Sequence, residues 1–99
     1  MSNEELNLYL ENYVISQLMK LVPNAEKLEV RANIGDKSFS VEFFAFIGGV
    51  KHQCYDMIDS GIIKEKDFDS TVKQLAKFIR SCPVYRPGEV NKFSFTSKS

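Results

Sequence analysis

The chain has 99 residues, 43% hydrophobic and 26% charged, which is typical of one globular domain spanning residues 1–99. Lysine plus arginine and aspartate plus glutamate number 13 each, so the formal net charge is zero, and the longest apolar run, FFAFI, has only five residues. The balanced charge argues against a nucleic-acid binder, and the short apolar run argues against a membrane protein.

The first predicted element is a helix over SNEELNLYLENYVISQLMKLVP, with a capping-box pattern at Ser2 and Glu5 and an end at Pro23. It carries two apolar stripes on nearly opposite sides. The first comprises Leu6, Leu10, Val14 and Leu21, with Tyr13, and the second comprises Leu8, Ile15, Met19 and Val22. A surface helix usually has one such stripe. We therefore expect Leu8, Ile15 and Met19 to be covered by a second copy of the chain, a partner protein or the connector 83–88.

Three strands are predicted to follow the helix. LEVRANI alternates apolar and polar residues, as a half-buried strand does, and Gly35 with Asp36 then marks a turn. SFSVEFFAFI predicts a second strand with Phe44 and Phe46 on the face opposite the core residues, so we expect this strand to be covered on both faces at that end.

The third strand is predicted over VKHQCY, after a hairpin turn at the glycine pair of IGGV. Val50, His52 and Cys54 would share the core face of this strand. The segment KEKDFDSTVKQLAKFIRS then predicts a second helix, and NKFSFTSK predicts a fourth strand. The fold class is therefore α+β, with an antiparallel four-stranded sheet and two helices in the order αβββαβ.

The stretch CYDMIDSG concentrates the chemically reactive side chains next to the one histidine, His52. On a strand, His52 and Cys54 would lie roughly 6–7 Å apart, too far for the hydrogen bond that a nucleophile and its base require. A hydrolase using Cys54, His52 and Asp56 is the less favoured alternative. Two cysteines and one histidine without paired spacing do not make a zinc site, so neither a metal nor a cofactor is expected.

Acidic residues are dense from this stretch into the second helix. Asp56 and Asp59 are interpreted either as the end of a strand with its turn or as part of an acidic loop that contacts a partner. The candidate partner-binding residues are Asp56, Asp59, Glu65, Asp67 and Asp69 here, together with Leu8, Ile15 and Met19 on the first helix. The other acidic surface open to a basic partner is that of Glu4, Glu5 and Glu11.

The N-terminal SNEELN has neither the basic nor the apolar part of a signal peptide, which predicts a cytoplasmic protein. In that reducing compartment, Cys54 and Cys82 are expected to be free thiols.

Taken in order, LVPNAEKLEVRANI, SFSVEFFAFI, HQCYDMIDSG, EKDFDSTVKQLAKFIRS and the closing strand resemble the YezG-like family of small bacterial antitoxin and immunity proteins over residues 6–95. The resemblance implies a protein without enzymatic activity that binds a cognate toxin, such as the nuclease of a contact-dependent growth inhibition system, and neutralises it. It implies no direct contact with nucleic acid. The alternative from another class is a homodimeric adaptor that pairs through the stripe from Leu8 to Val22.

Overall fold

The computed structural model describes residues 3–97 of the chain. Its elements, in chain order, are α1 (Asn3–Met19), β1 (Lys27–Ile34), β2 (Phe39–Ile47), β3 (Val50–Gln53), α2 (Cys54–Asp59), α3 (Glu65–Arg80) and β4 (Asn91–Thr96). The predicted αβββαβ order is confirmed, and a short third helix, α2, is added to it. Within residues 3–97, no helix combines the length and apolar character needed to cross a membrane.

The four strands form one antiparallel sheet in the order β3-β2-β1-β4. Strict alternation sets the two faces of β1, where Leu28, Val30, Ala32 and Ile34 are all buried. These residues share the main core with the buried side chains of the helices, so the helices cover one face of the sheet. The other face is open, and polar side chains of β1 lie on it.

The first helix is shorter than predicted. It ends at Met19, and two tight turns follow, closed by Leu21 N–H donating to Leu18 O and Ala25 N–H donating to Val22 O, each at 3.0 Å. A proline disfavours helical geometry in the residue before it, so the chain leaves the helix before Pro23 is reached. Val22 is buried, but it lies in these turns and not on a stripe of the helix. The predicted cap at Ser2 lies outside the described residues.

The two stripes of α1 differ in burial. Leu10 and Val14 of the first stripe are buried, as predicted, and Leu18, which belonged to neither predicted stripe, is fully buried with them. Of the second stripe, Leu8 is 57% exposed, whereas Ile15 and Met19 are half-buried against the edge of the core. The chain's own packing therefore covers Ile15 and Met19 in part and leaves Leu8 open.

The prediction that CYDMIDSG ends a strand is wrong, because its first six residues form the helix α2. The side-chain oxygen of Gln53 accepts a hydrogen bond from Tyr55 N–H at 3.0 Å and so caps the start of the helix. Cys54 and Met57, three positions apart, are both buried. Gly61, with φ of 82°, follows the helix in the left-handed conformation common at helix ends.

The core face expected for the third strand is only partly right, because Val50 and His52 do lie on the side of the buried Ala45, but Val50 is not buried and Cys54 is not in the strand. β3 ends at Gln53, so Cys54 belongs to α2, and Val50 is 56% exposed beside the β2–β3 turn. β3 has four residues and lies at the edge of the sheet, where the helices do not cover its first residue. The thiol of Cys54 is nevertheless packed, as the sequence predicted.

The second predicted helix is confirmed as α3. Its stripe of Phe68, Val72, Leu75 and Ile79 is buried against the sheet. Phe68 meets Phe43 of β2 with ring centroids 6.2 Å apart, and on the other side Phe78 stacks on Tyr13 of α1 at 3.8 Å. These ring contacts tie both long helices to one core.

A network of polar contacts closes one end of the covered face. Arg80, at the end of α3, donates to Gly35 O at 2.8 Å and Ser38 O at 3.1 Å, both in the β1–β2 turn. In the same turn, Asp36 accepts hydrogen bonds from the Tyr85 hydroxyl and, at 2.8 Å, from Gly88 N–H. The hydrogen bond from Tyr85, together with that from Gly88, lowers the pKa of Asp36 below its usual value.

The open face is not covered by any element in the described part of the chain, contrary to the expectation for Phe44 and Phe46. Instead, lysine side chains lie over these rings. The ammonium group of Lys51 is 4.5 Å from the ring centroid of Phe44, and that of Lys27 is 5.3 Å from the centroid of Phe46. The lysine stems thereby shield two half-buried rings from water.

Candidate protein-binding surfaces

The five acidic candidates lie close together in the sequence, and all of them are exposed. Asp56 and Asp59 are on α2, and Glu65, Asp67 and Asp69 are in the first two turns of α3. We call these five residues the acidic group. Among the described residues, no three histidine, cysteine or carboxylate side chains are placed to hold one metal ion. The acidic group is therefore a spread of surface charge.

A small groove adjoins the acidic group. It has a volume of about 190 Å³, and we call it the Tyr55 groove. It is lined by Phe39, Ser40, Val41, Tyr55, Phe68, Asp69, Val72 and Lys73. β2 supplies one wall and α3 the other, with Tyr55 projecting from the short helix between them.

Tyr55 is half exposed, and the rest of its side chain packs against a core residue. Its side chain is 48% exposed, and its ring packs edge-on against Phe68 with centroids 5.8 Å apart. Phe68 is itself buried against Phe43 in the core. Partial burial raises the pKa of the Tyr55 hydroxyl, as do, more weakly, nearby negative groups that include Asp69. The phenol thus stays neutral at physiological pH and remains a hydrogen-bond donor beside a carboxylate.

A half-exposed aromatic side chain that packs on the core and has a carboxylate, Asp69, in the same groove suits protein recognition. Tyrosine contributes a large contact area and loses few rotamers, because it has only two side-chain torsions. Phe39, across the groove, is 39% exposed and adds apolar area. Asp69 and Lys73 place one negative and one positive side chain in the groove lining.

Sequence reasoning identified the carboxylates but missed Tyr55 and Phe39. A signal was present in the segment Cys54-Tyr55-Asp56-Met57, because its apolar ends, Cys54 and Met57, are three positions apart, as residues on one side of a helix are. With Cys54 and Met57 buried on one side of α2, Tyr55 is directed toward α3. Reading the stretch as a strand concealed this arrangement.

Cys54, the nucleophile of the alternative hydrolase site, has a different position from the one expected on a strand. Cys54 is fully buried at the start of α2, and burial raises the pKa of its thiol. A raised pKa reduces the fraction of thiolate, the form that acts as a nucleophile. Neighbouring His52 is half-buried on β3. Cys54 therefore sits as a packed apolar residue would.

The apolar candidates on α1 lie on another side of the molecule. Leu8 borders an open groove of about 830 Å³ between α1, β4 and the segment that connects α3 with β4. Ile15 and Leu8 also line an adjoining groove of about 360 Å³ that continues along β4 to Ser97. Met19 lines neither of the two. Of the acidic candidates, only Asp69 lines the Tyr55 groove, and the other four lie on α2 and at the start of α3. None of the five lines the grooves beside the α1 candidates.

Comparison of the chain with protein-family models, curated proteins and solved structures found no match.

Proposed function

We propose that this chain is an immunity protein, which binds a cognate bacterial toxin domain in the cytoplasm and blocks it stoichiometrically. The supporting observation is the Tyr55 groove, where a half-exposed tyrosine held by the core lies next to the acidic group. Resemblance to the YezG-like family supports the same class of function. The proposed partner is a basic nuclease domain.

The physical basis is charge complementarity. A nuclease holds the phosphates of its substrate with lysine and arginine side chains. Carboxylates such as Asp56, Asp59 and Asp69 are negatively charged, as the phosphates are, and would pair with those lysine and arginine side chains. Tyr55 would enter the nuclease surface as the anchor, where water is excluded and the surrounding ion pairs gain strength. Neutralisation then needs only a tight complex and no chemical step.

The test uses the toxin domain encoded immediately upstream of this chain's gene. Its affinity is measured by calorimetry with the wild type, with Tyr55→Ala and with the double variant Asp56→Asn/Asp59→Asn, at low and moderate salt. We expect Tyr55→Ala to weaken binding about 30-fold or more, the size of an interface hot spot. The double variant should weaken binding by more than about threefold, with the larger loss at low salt.

Tyr9→Ala and Glu89→Gln are the matched controls. Tyr9 is 57% exposed, similar to Tyr55, but lies on α1, and Glu89 is an exposed carboxylate in the connector. Neither change should alter the affinity. The proposal fails if the neighbouring gene encodes no toxin, if the two proteins do not associate, or if the Tyr55 and Asp56/Asp59 variants bind as tightly as these controls.

A further inference from the structure

The free edge of β4 is the longer unpaired edge of the sheet. β4 pairs with β1 on one side, from Glu29 opposite Thr96 to Ile34 opposite Asn91, and no described strand pairs with its other side. The opposite edge, β3, has only four residues and runs directly into α2. An unpaired strand edge is a template for a further strand, unless it is blocked.

The backbone direction along β4 identifies the groups available for pairing. Ser97 N–H points toward β1 and donates to Leu28 O at 2.9 Å, whereas Thr96 N–H points outward and reaches the Glu11 carboxylate at 3.4 Å. Because N–H groups alternate in direction along a strand, those of Lys92 and Ser94 also point outward. Apart from Glu11, no described side chain occupies this row of outward N–H groups.

Helix α1 forms a wall along this edge over its whole length. The two adjoining grooves are lined by α1 residues from Glu4 to Ser16, by β4 residues from Lys92 to Thr96 and by Ser97, which follows β4. Twelve helical steps cover about 18 Å, and five strand steps cover about 17 Å. Leu8 and Ile15, from the second stripe of α1, are the apolar side chains of this wall. We call the combined feature the α1–β4 groove.

We propose that the α1–β4 groove binds an extended segment of a partner protein, which adds to β4 as a fifth antiparallel or parallel strand. Main-chain hydrogen bonds to Lys92 and Ser94 would hold the segment. Every second side chain would face Leu8, Ile15 and the half-buried Phe93. This recognition mode needs no preformed pocket for a folded domain.

Charge on the two sides of the edge sets the chemistry of the segment. On the open face, Lys92 is exposed on β4 and Arg31 of β1 lies opposite Ser94, whereas Glu29, opposite Thr96, is paired with Lys51. Lys92 and Arg31 make this part of the edge positive, so side chains of the added strand beside them are expected to be acidic. On the helix side, Glu4 and Glu11 disfavour further acids, and Leu8 and Ile15 offer apolar contacts. The rest of this lining is mixed: it includes the polar Asn7, Asn12 and Ser16 of α1 and, on the connector, Pro83, Val84 and Arg86. The matching segment alternates apolar and acidic residues.

A second copy of this chain does not fit the groove. If β4 paired with β4 of another copy, the strands would be about 4.8 Å apart, with both α1 helices on the same face. Glu11 already reaches the outer side of β4, so each α1 lies close to the shared boundary. Packed helices need about 8–10 Å between their axes. A lone extended segment brings no such helix.

The experiment selects from a library of random twelve-residue peptides displayed on phage, with the folded 99-residue chain as the target. We expect enriched sequences to alternate apolar and acidic residues and to lack proline at their centre. Synthetic copies are then titrated by fluorescence polarisation. Ser94→Pro, which removes one outward N–H but no bond to β1, should weaken binding about tenfold. Ser94→Ala keeps the N–H and should bind as the wild type does.

A second pair of variants tests the wall and does not depend on the fold of Ser94→Pro. Leu8→Glu should abolish peptide binding, whereas Val50→Glu, at a residue 56% exposed on the opposite edge, should leave it unchanged. Lys92→Glu should reverse the preference from acidic to basic peptides. The proposal is overturned if no peptide is enriched, if Leu8→Glu binds as well as Val50→Glu, or if sedimentation shows a dimer that Ser94→Pro dissociates. None of these outcomes depends on the toxin.

Discussion

Phe43 and Phe44 are neighbours on β2, but their side chains lie on opposite faces of the sheet. Phe43 is fully buried under α3, where it meets the ring of Phe68. Phe44 is half-buried on the open face, where Lys51 lies over its ring. The core thus shields one ring with other apolar side chains, whereas the open face shields the other with an exposed charged side chain. A phenylalanine is therefore expected to contribute more to the free energy of unfolding on the covered face than on the open face.

The largest expected effect is the loss of stability on cutting Phe43 back to alanine. Phe43→Ala removes a fully buried ring and leaves a cavity, which costs about 3–5 kcal/mol of the free energy of unfolding. Phe44→Ala, its matched control on the open face, should cost roughly 1 kcal/mol, because water and Lys51 fill the space. Urea unfolding followed by circular dichroism measures both. Equal losses for the two variants would remove the distinction between the faces.

A smaller effect concerns the polar network that closes the covered face. The pKa of Asp36 is lowered in the folded protein, so its contribution to stability is present above the unfolded pKa of about 3.8 and is lost as pH falls through the folded pKa. Asp36→Asn should therefore lower the melting temperature at pH 7. The difference from the wild type should shrink below pH 3.8.

Asp59→Asn is the control for this measurement, because it removes an exposed aspartate from α2 instead. Its melting temperature should follow that of the wild type at pH 7. A pH-independent gap between wild type and Asp36→Asn would mean that the carboxylate charge is not the source of the stabilisation by Asp36.

The smallest effect tests the open face itself. Lys51→Gln removes the charge over Phe44 and the ion pair with Glu29 at 3.5 Å, in which both side chains are more than a third exposed. The expected loss is about 0.5–1 kcal/mol, falling as salt is added. Lys66→Gln, on the exposed side of α3, should show none. A salt-independent loss at Lys51 would indicate packing by its stem as the main contribution.

Much of the fold follows from local periodicity. The alternation in β1 predicted a strand, and the spacing of four, three and four residues from Phe68 through Val72 and Leu75 to Ile79 predicted a helix. The structure contains both elements. The same reasoning failed at α2, because six residues give too little helical period to be distinguished from a strand end. Gln53, whose side chain caps α2, is not among the residues usually found in that role.

The candidate surfaces were predictable only in part. Charge density alone pointed to Asp56 and Asp59, since exposed carboxylates need no knowledge of packing. The groove beside them depends on Tyr55, whose position follows from α2 meeting α3, and no local pattern encodes that contact. The apolar wall at Leu8 was visible as a second stripe, but its proximity to the free edge of β4 is a property of the tertiary fold.

The central position of β1 in the sheet has a consequence for how the molecule folds. Its pairing with β2 requires only a short turn, whereas its pairing with the C-terminal strand joins residues such as Leu28 and Ser97, 69 positions apart. Closing a short loop is faster and loses less chain entropy than closing a long one. The β1–β2 hairpin is therefore expected to form early, with β4 docking late. Until β4 arrives, the side of β1 that it covers is itself an exposed edge, open to association with other unfinished chains.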